Sequence, residues 1–163
     1  MAVQQRSVPA SLYTPEERAR RDASAWTIVQ GVLAPLQFVI FLVSVWLVFR
    51  YFMTGEGWYA ATVSIVIKTI VLYLIMVTGA IWEKVVFGQY LFAPAFFWED
   101  VVSMLVMALH TAYIVVLLFG WLTTDQQLYL ALAAYASYVI NAAQFLWKLR
   151  VARLSAPVAT ASS

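Results

Sequence analysis

The feature that most constrains this chain is a long apolar run, from Trp26 to Phe49, that contains no charged residue. A helix needs about 20 mostly apolar residues to cross a bilayer, and three further segments meet that requirement. Charged residues make up only 11% of the sequence, against about 25% in a typical soluble domain. The sequence therefore predicts an all-α integral membrane protein, a bundle of four transmembrane helices over residues 26–52, 58–82, 98–121 and 127–147.

Tryptophan and basic residues indicate how this bundle lies in the membrane. Every tryptophan except Trp46 falls at a predicted helix end, where an amphipathic ring favours the headgroup layer. Lysine and arginine are concentrated in the two terminal segments and in the loop between the second and third spans, whereas the opposite loops contribute only Arg50. The positive-inside rule then places both termini and the middle loop in the cytoplasm.

The terminal segments differ in what they predict. Residues 1–25 are expected to be a cytoplasmic segment with a short interfacial helix over 15–22, in which Thr14 and Glu17 form a capping box and Pro15 takes the first helical position. Residues 26–149 form the transmembrane domain. Residues 150–163, which end in a run of Ser, Ala, Pro and Thr, are expected to be a cytoplasmic disordered tail.

The segment 83–97 between the second and third spans is unusual for a loop. It is strongly apolar, and Gly88 and Pro94 interrupt it. Irregular backbone at membrane depth is tolerated only where protein or water satisfies its polar groups. We therefore expect this segment to lie in the membrane interface or to fold back under the bundle.

Three carboxylates flank this segment: Glu83, Glu99 and Asp100. Glu99 and Asp100 fall in the first turn of the third span, where they can simply counter the helix dipole, and Glu83 can form a surface pair with Lys84. At a low-dielectric edge, however, mutual repulsion and poor solvation favour one carboxyl that keeps its proton near neutrality, as a general acid requires. All three carboxylates are therefore catalytic candidates.

Polar side chains at membrane depth are functional candidates because burying them is costly. His110, the only histidine, lies ~16 Å along the third span from Glu99, and Lys68 and Gln37 lie at a similar depth on other spans. We expect these residues to share a polar layer, with Lys68 facing the bundle. His110 is open to three interpretations: a neutral histidine bonded between helices, a proton-transfer group, or a ligand of a pigment's metal.

What the chain lacks excludes several classes of function. It has no cysteine, which excludes disulfides, thiolate metal sites and cysteine nucleophiles. It has no glycine-rich phosphate loop, no His-Glu-x-x-His pair and no Gly-x-Ser-x-Gly elbow, so dinucleotide-driven redox chemistry, ATP hydrolysis and zinc proteolysis are not expected. The net charge of +2 is too small and too dispersed to indicate a nucleic-acid partner.

Several long strings in the chain resemble the 3-vinyl bacteriochlorophyllide hydratase family of bacteriochlorophyll biosynthesis. The resemblance extends over roughly residues 12–153. The strings that carry it are LYTPEER (12–18), VQGVLAPLQF (29–38), VTGAIWEK (77–84), YLFAPAFFWED (90–100), LHTAY (109–113) and YVINAAQF (138–145).

The resemblance implies an enzyme, a hydro-lyase that adds water across the 3-vinyl group of a (bacterio)chlorophyllide to give a 1-hydroxyethyl group. It implies no added cofactor, because the substrate carries its own magnesium, and it implies a bacterial inner (intracytoplasmic, photosynthetic) membrane. Lipid and a tetrapyrrole are the implied partners, and a homo-oligomer or other pigment-biosynthesis enzymes stay open.

The resemblance does not carry residue roles, so we assign them from chemistry. Glu99 is the leading acid, Asp100 or Glu83 is its partner, and His110 is the catalytic alternative if the pigment lies deep in the bundle. Aromatic residues of the loop are expected to stack on the macrocycle, and Lys84 or Arg150 to pair with its propionate. The candidate substrate-binding residues are Trp98, Phe97, Lys84, Lys68, Gln37, Asn141 and Gln144.

Geometry separates the carboxylate end from the centre of the third span, and we favour the carboxylate end because a charged propionate prefers the membrane interface. A chlorin is about as wide as a helix with its side chains, 10–12 Å, so one flat pigment cannot reach both His110 and Glu99. The rival function is a non-catalytic pigment-binding or assembly subunit with His110 as axial ligand. A quinone- or haem-binding subunit is the weakest alternative, because a single histidine cannot supply two axial ligands to a haem.

Overall fold

The computed structural model describes residues 11–154, which fold into five helices and no strand. The helices are α1 (Pro15–Ala23), α2 (Ala25–Thr54), α3 (Trp58–Phe87), α4 (Phe97–Phe119) and α5 (Thr124–Leu154). Helices α2 to α5 are each long and apolar enough to cross a membrane. The predicted fold class, an all-α protein with four transmembrane helices, is confirmed. The cytoplasmic location of the termini stays a prediction.

The ends of two helices were predicted wrongly, and in both cases the predicted helix was too short. The segment 83–97 is not loop throughout, because α3 continues to Phe87 and ends at Gly88, whose φ of 86° is left-handed. The predicted tail over 150–163 is wrong for residues 150–154, which belong to α5. These residues include good helix formers and no proline or glycine. Residues 155–163 lie outside the described part of the chain.

Helix α1 begins as the sequence predicts. Thr14 Oγ1 accepts a hydrogen bond from the Glu17 N–H at 3.2 Å, and Glu17 Oε2 accepts one from the Thr14 N–H at 2.8 Å, so the capping box is confirmed. Arg20 Nε then donates to the Val86 carbonyl at 2.8 Å and ties α1 to the last turn of α3. The short helix is therefore attached to the same end of the bundle as the α3–α4 loop.

Small polar side chains join the long helices in pairs. Between α2 and α3, Gln30 Nε2 donates to Thr78 Oγ1, and the Ser44 and Ser64 hydroxyls share a hydrogen bond, each at 2.7 Å. Ser44 also hydrogen-bonds the Tyr135 hydroxyl, which joins α2 to α5. Interhelical bonds of this kind matter in a bilayer because lipid offers no hydrophobic force between helices. The apolar core lies towards the α2–α3 loop: Phe41, Val48, Ala61, Ile65, Tyr113, Leu128, Ala131 and Tyr135.

Replacing Tyr135 by phenylalanine removes its hydroxyl and with it the bond from α2 to α5. We expect the free energy of unfolding to fall by about 0.6 kcal/mol, and by no more than about 1.7 kcal/mol, as for other interhelical bonds in membranes. Tyr129→Phe is the matched control, because Tyr129 lies on the same helix with 62% of its surface exposed. Reversible unfolding in mixed micelles measures both, and equal stability of the two variants would contradict the role given to this bond.

Candidate active site

The α3–α4 loop, residues 88–96, lies across the ends of both helices. Its chain reverses at Phe92, whose φ of 60° is left-handed although the residue is not glycine. The Phe96 N–H then donates to the Ala93 carbonyl at 2.8 Å in a tight turn before α4. A non-glycine residue keeps this conformation only where its surroundings hold it. Here two carboxylates hold the loop by accepting hydrogen bonds from its N–H groups.

Glu83 and Asp100 meet beneath this loop. Asp100 Oδ2 accepts a hydrogen bond from the Phe92 N–H at 2.7 Å, and Glu83 Oε2 accepts one from the Ala93 N–H at 3.3 Å. Both carboxyl groups are buried, and neither forms an ion pair among the described residues. Because two neighbouring buried carboxylates repel each other and are poorly solvated, such a pair favours the form in which one carboxyl keeps its proton. We refer to Glu83 and Asp100 as the carboxyl pair.

Glu99 has a different partner from its neighbour Asp100. Its Oε2 pairs with Lys148 Nζ on α5 at 2.5 Å, and Lys148 also donates to the Ala95 carbonyl. An ammonium group has three N–H donors, so one is left for a ligand. Lys148 was not among the site residues predicted from the sequence. A signal existed, because Asn141, Gln144 and Lys148 follow one another at helical spacing and so share a face of α5.

A cavity of about 490 Å³ opens beside this ion pair. Ligand sites in proteins usually fall between about 300 and 1,000 Å³. The N-terminal segment, the end of α3, the loop and α5 all contribute to its wall, which is lined by Ser11, Leu12, Glu17, Phe87, Pro94, Ala95 and Lys148. Ser11, Leu12 and Glu17 carried no sequence signal for this role. They reach the cavity only because α1 docks on α3.

An aromatic cluster packs around Phe87, which lines the cavity. The Tyr13 ring stacks on Phe87 at 5.8 Å between centroids, and Phe96 contacts Trp82 and Phe145 at 5.7 Å. Burial raises the pKa of the Tyr13 phenol above its usual range, so this side chain is an uncharged member of the cluster. Phe87 therefore contributes an aromatic ring to the cavity wall, and Phe96 lies 5.2 Å from the Lys148 ammonium.

The predicted loop aromatics Phe97 and Trp98 lie elsewhere. They pack on each other with centroids 5.4 Å apart, and Trp98 leaves 68% of its surface exposed. Neither residue is part of the cavity wall. Their predicted contact with substrate stays a prediction, and the structure places them on the outer surface of the bundle.

The remaining candidates at this end of the bundle have local partners. Lys84 Nζ donates to the Gly88 carbonyl at 2.7 Å and so covers the end of α3. Asn141 donates to the Glu99 carbonyl at 2.8 Å and accepts from Ser103 at 3.1 Å. Gln144 has a buried Oε1 without a hydrogen-bond partner among the described residues. Arg150 is exposed.

Lys68 and His110 lie beside the same Tyr135 ring in the middle of the bundle, away from the cavity, and Gln37 is buried on α2. Lys68 and His110 are fully buried and Gln37 is 2% exposed. Lys68 faces the bundle, as expected. Since the helical rise places His110 ~16 Å from Glu99, the structure separates the sequence candidates into two groups, one at the loop end and one at the centre. Among the residues described, no group of three or more His, Asp or Glu side chains is placed to hold a metal ion.

Comparisons with known proteins give matches over most of this chain. The family model of 2-vinyl bacteriochlorophyllide hydratases matches residues 13–151. The chain is 69% identical to the 2-vinyl bacteriochlorophyllide hydratase of Rhodobacter capsulatus over 146 residues, 90% of this chain and 85% of the relative. It is also 69% identical to the protein of that name from Cereibacter sphaeroides over 143 residues, 88% of this chain and 89% of the relative. No solved structure matches.

Proposed function

The chain belongs to the 2-vinyl bacteriochlorophyllide hydratase family, and we propose that it adds water across the vinyl group of a (bacterio)chlorophyllide during bacteriochlorophyll biosynthesis. It is a hydro-lyase, and its product carries a 1-hydroxyethyl group. The family name numbers the vinyl group 2, where the resemblance described above numbers it 3. Both names describe the same addition of water to a vinyl group.

The reaction needs one acid and one base. The acid protonates the terminal vinyl carbon, which breaks the carbon–carbon π bond and leaves a cation at the carbon attached to the ring, where the conjugated macrocycle delocalises the charge. Water forms a new bond to that carbon and gives a proton to the base. One proton enters and one leaves, so the sum is one added water with no redox change. A positioned acid or base contributes typically 10²–10⁴-fold.

We assign the acid to the carboxyl pair and the base to Glu99. The observation that carries this assignment is that Glu83 and Asp100 are both buried and accept hydrogen bonds from the adjacent N–H groups of Ala93 and Phe92, without an ion-pair partner among the described residues. Glu99 bonds Lys148, which lines the cavity, so we assign the base to the carboxyl group that is linked to the cavity wall. The sequence favours Glu99 as the acid. We reverse those roles because the two acidic neighbours on α4 have different partners in the structure.

We place the macrocycle in the cavity beside Lys148, whose wall does not include either member of the carboxyl pair. Phe87 contributes an aromatic ring to the cavity wall, and the third N–H of Lys148 is available to the substrate's propionate. Ala93 contacts the pair, and the next residue, Pro94, lines the cavity. The vinyl group reaches the acid when this short stretch of loop moves. Phe92, the neighbouring residue with a left-handed backbone, is where we expect the backbone to change conformation.

A deep site at His110 has less support. His110 and Lys68 are fully buried among packed helices, so a macrocycle 10–12 Å wide, on the order of a helix diameter, enters only if the helices separate. A charged propionate also favours the membrane interface over the bilayer centre. We keep His110 as the catalytic alternative only for a pigment bound at that depth.

The surroundings of the enzyme complete the proposal. Four apolar helices make it a multi-pass membrane protein, and we place it in the bacterial inner membrane, including its intracytoplasmic photosynthetic part. We propose that no cofactor is added, since the substrate carries its own magnesium and hydration needs no redox partner. A homo-oligomer or contact with other pigment-biosynthesis enzymes would pass the apolar pigment on without release into water.

Incubating the protein in bilayers with a vinyl chlorophyllide should shift the pigment's red absorption band to shorter wavelength. The reason is that hydration removes the vinyl group from conjugation with the ring. Absorption spectra over time, with the product identified by mass, measure the change. An unchanged spectrum together with stoichiometric bound pigment would contradict the hydratase assignment and favour the pigment-binding subunit instead.

A further inference from the structure

The middle of the bundle contains polar atoms that no part of the described chain satisfies. Gln37 Oε1 and Nε2, Lys68 Nζ and His110 Nε2 are all buried, and none has a hydrogen-bond partner among the described residues. Leaving a buried polar group unpaired costs about 1–3 kcal/mol, and more for a charged one. Three such side chains on three helices therefore point to a ligand that reaches all of them.

Two of these side chains, His110 and Lys68, lie beside the ring of Tyr135, and Gln37 lies at a similar depth. The Tyr135 centroid is 5.8 Å from the His110 ring and 5.7 Å from Lys68 Nζ. Gln37 lies at the same depth, because the bonds from Gln30 to Thr78 and from Ser44 to Ser64 set an antiparallel register for α2 and α3. In that register Gln37 faces a position within one turn of Lys68. The three polar groups form one layer, as the sequence predicts.

The donors and acceptors of this layer are mixed. His110 Nδ1 lies 2.8 Å from the Val106 carbonyl, and since a carbonyl can only accept, Nδ1 carries a proton. A neutral imidazole bonded in this way presents a lone pair at Nε2. Lys68 offers three N–H donors, and the Gln37 amide offers both donors and an acceptor. The layer therefore needs a ligand that donates and accepts at short range.

Aromatic rings alone do not satisfy Lys68. Its Nζ lies 3.8 Å from the Tyr138 centroid and 5.9 Å from that of Phe41. Such contacts favour a cation by about 2 kcal/mol when desolvated, but they leave its N–H donors without lone-pair acceptors. An anion would satisfy Lys68 and could accept from the Gln37 amide, but the lone pair of His110 Nε2 would repel it. Water satisfies all three, and buried waters typically make about three hydrogen bonds to such groups.

We propose that Gln37, Lys68 and His110 form an internal hydration site, in which bound water molecules bridge the Lys68 ammonium, the Gln37 amide and His110 Nε2. The site solvates a lysine at mid-membrane depth. It is separate from the cavity at the loop end, and it does not depend on the proposed reaction. Its test therefore needs no substrate, and its failure leaves the hydratase assignment untouched.

The single histidine of this chain makes the site observable by solid-state NMR. Histidine labelled with nitrogen-15 gives one imidazole and one histidine backbone amide in the full-length protein in lipid bilayers, provided that the purification tag contains no histidine. We expect magnetisation from water protons to reach the imidazole earlier than the His110 backbone amide, which lies inside α4. We also expect Nδ1 to resonate as protonated and Nε2 as unprotonated.

Lys68→Met removes the ammonium with little change in volume, and it should abolish the early water transfer to the ring. Lys84→Met is the matched control, because Lys84 is exposed at the end of α3, and it should leave the transfer unchanged. If Lys68→Met does not fold, Gln37→Leu takes its place. A wild-type ring that receives water magnetisation no faster than the amide, a protonated Nε2, or a Lys68→Met ring that stays wet would each overturn the proposal.

Discussion

Replacing Asp100 by asparagine, or Glu83 by glutamine, is expected to lower turnover of the vinyl substrate by about 10²–10⁴-fold, the usual contribution of a positioned acid. Each variant replaces one member of the carboxyl pair with an amide, which cannot release a proton to the vinyl carbon. The amide oxygen still accepts the hydrogen bond from the loop N–H of Phe92 or Ala93. Pigment binding and folding should therefore survive, and single-turnover absorption changes measure the loss.

Glu56→Gln is the matched control for these variants. Glu56 is an exposed carboxylate in the α2–α3 loop, at the opposite end of the bundle, and its replacement should leave turnover at the wild-type level. Pigment titration by absorption separates a lost chemical step from lost binding. Full activity in both pair variants, with loss only in Glu99→Gln, would contradict the assignment and return the role of acid to Glu99.

The four membrane helices were predictable because lipid allows few alternatives. Backbone polar groups in a bilayer must be satisfied within the segment, so a long uncharged run such as 26–49 has one common solution. The ends of α3 and α5 were less predictable. Residues 83–87 stay helical beside a loop whose N–H groups bond the carboxyl pair, and such contacts between distant residues leave no periodic trace in the sequence.

The site was predictable as a region but not as a set of pairs. The sequence placed Glu83, Glu99 and Asp100 at one edge, and the structure keeps them there. Successive residues on a helix point about 100° apart, so Glu99 and Asp100 face different neighbours, α5 and α3 respectively. Which neighbour each one meets depends on how α2 and α3 pack against α4 and α5, and the hydropathy pattern carries no information on that packing.

We propose Lys148, rather than Lys84 or Arg150, as the partner of the substrate's propionate. Lys148 lines the cavity, whereas Lys84 is engaged with the Gly88 carbonyl. A hydrogen bond between charged groups contributes about 1.5–3 kcal/mol. The enzyme should therefore prefer a free chlorophyllide acid over its methyl ester by about 10- to 100-fold in kcat/KM, the factor that this free energy sets.

Lys148→Met should remove that preference, so that the acid and the ester react with similar kcat/KM. The substitution also leaves Glu99 buried without its cation, which is costly, so we expect lower stability. The double variant Lys148→Met/Glu99→Asp, which has a shorter acid at position 99, tests whether activity survives when the site repacks. Lys84→Met is the control and should keep the preference for the acid. A lost preference in Lys84→Met, with Lys148→Met unchanged, would contradict the placement of the propionate and move it to the outer edge of the loop. The ratio of acid to ester is the informative measurement, because a general loss of stability lowers both rates together, whereas the loss of a cation that binds the propionate lowers only the rate for the acid.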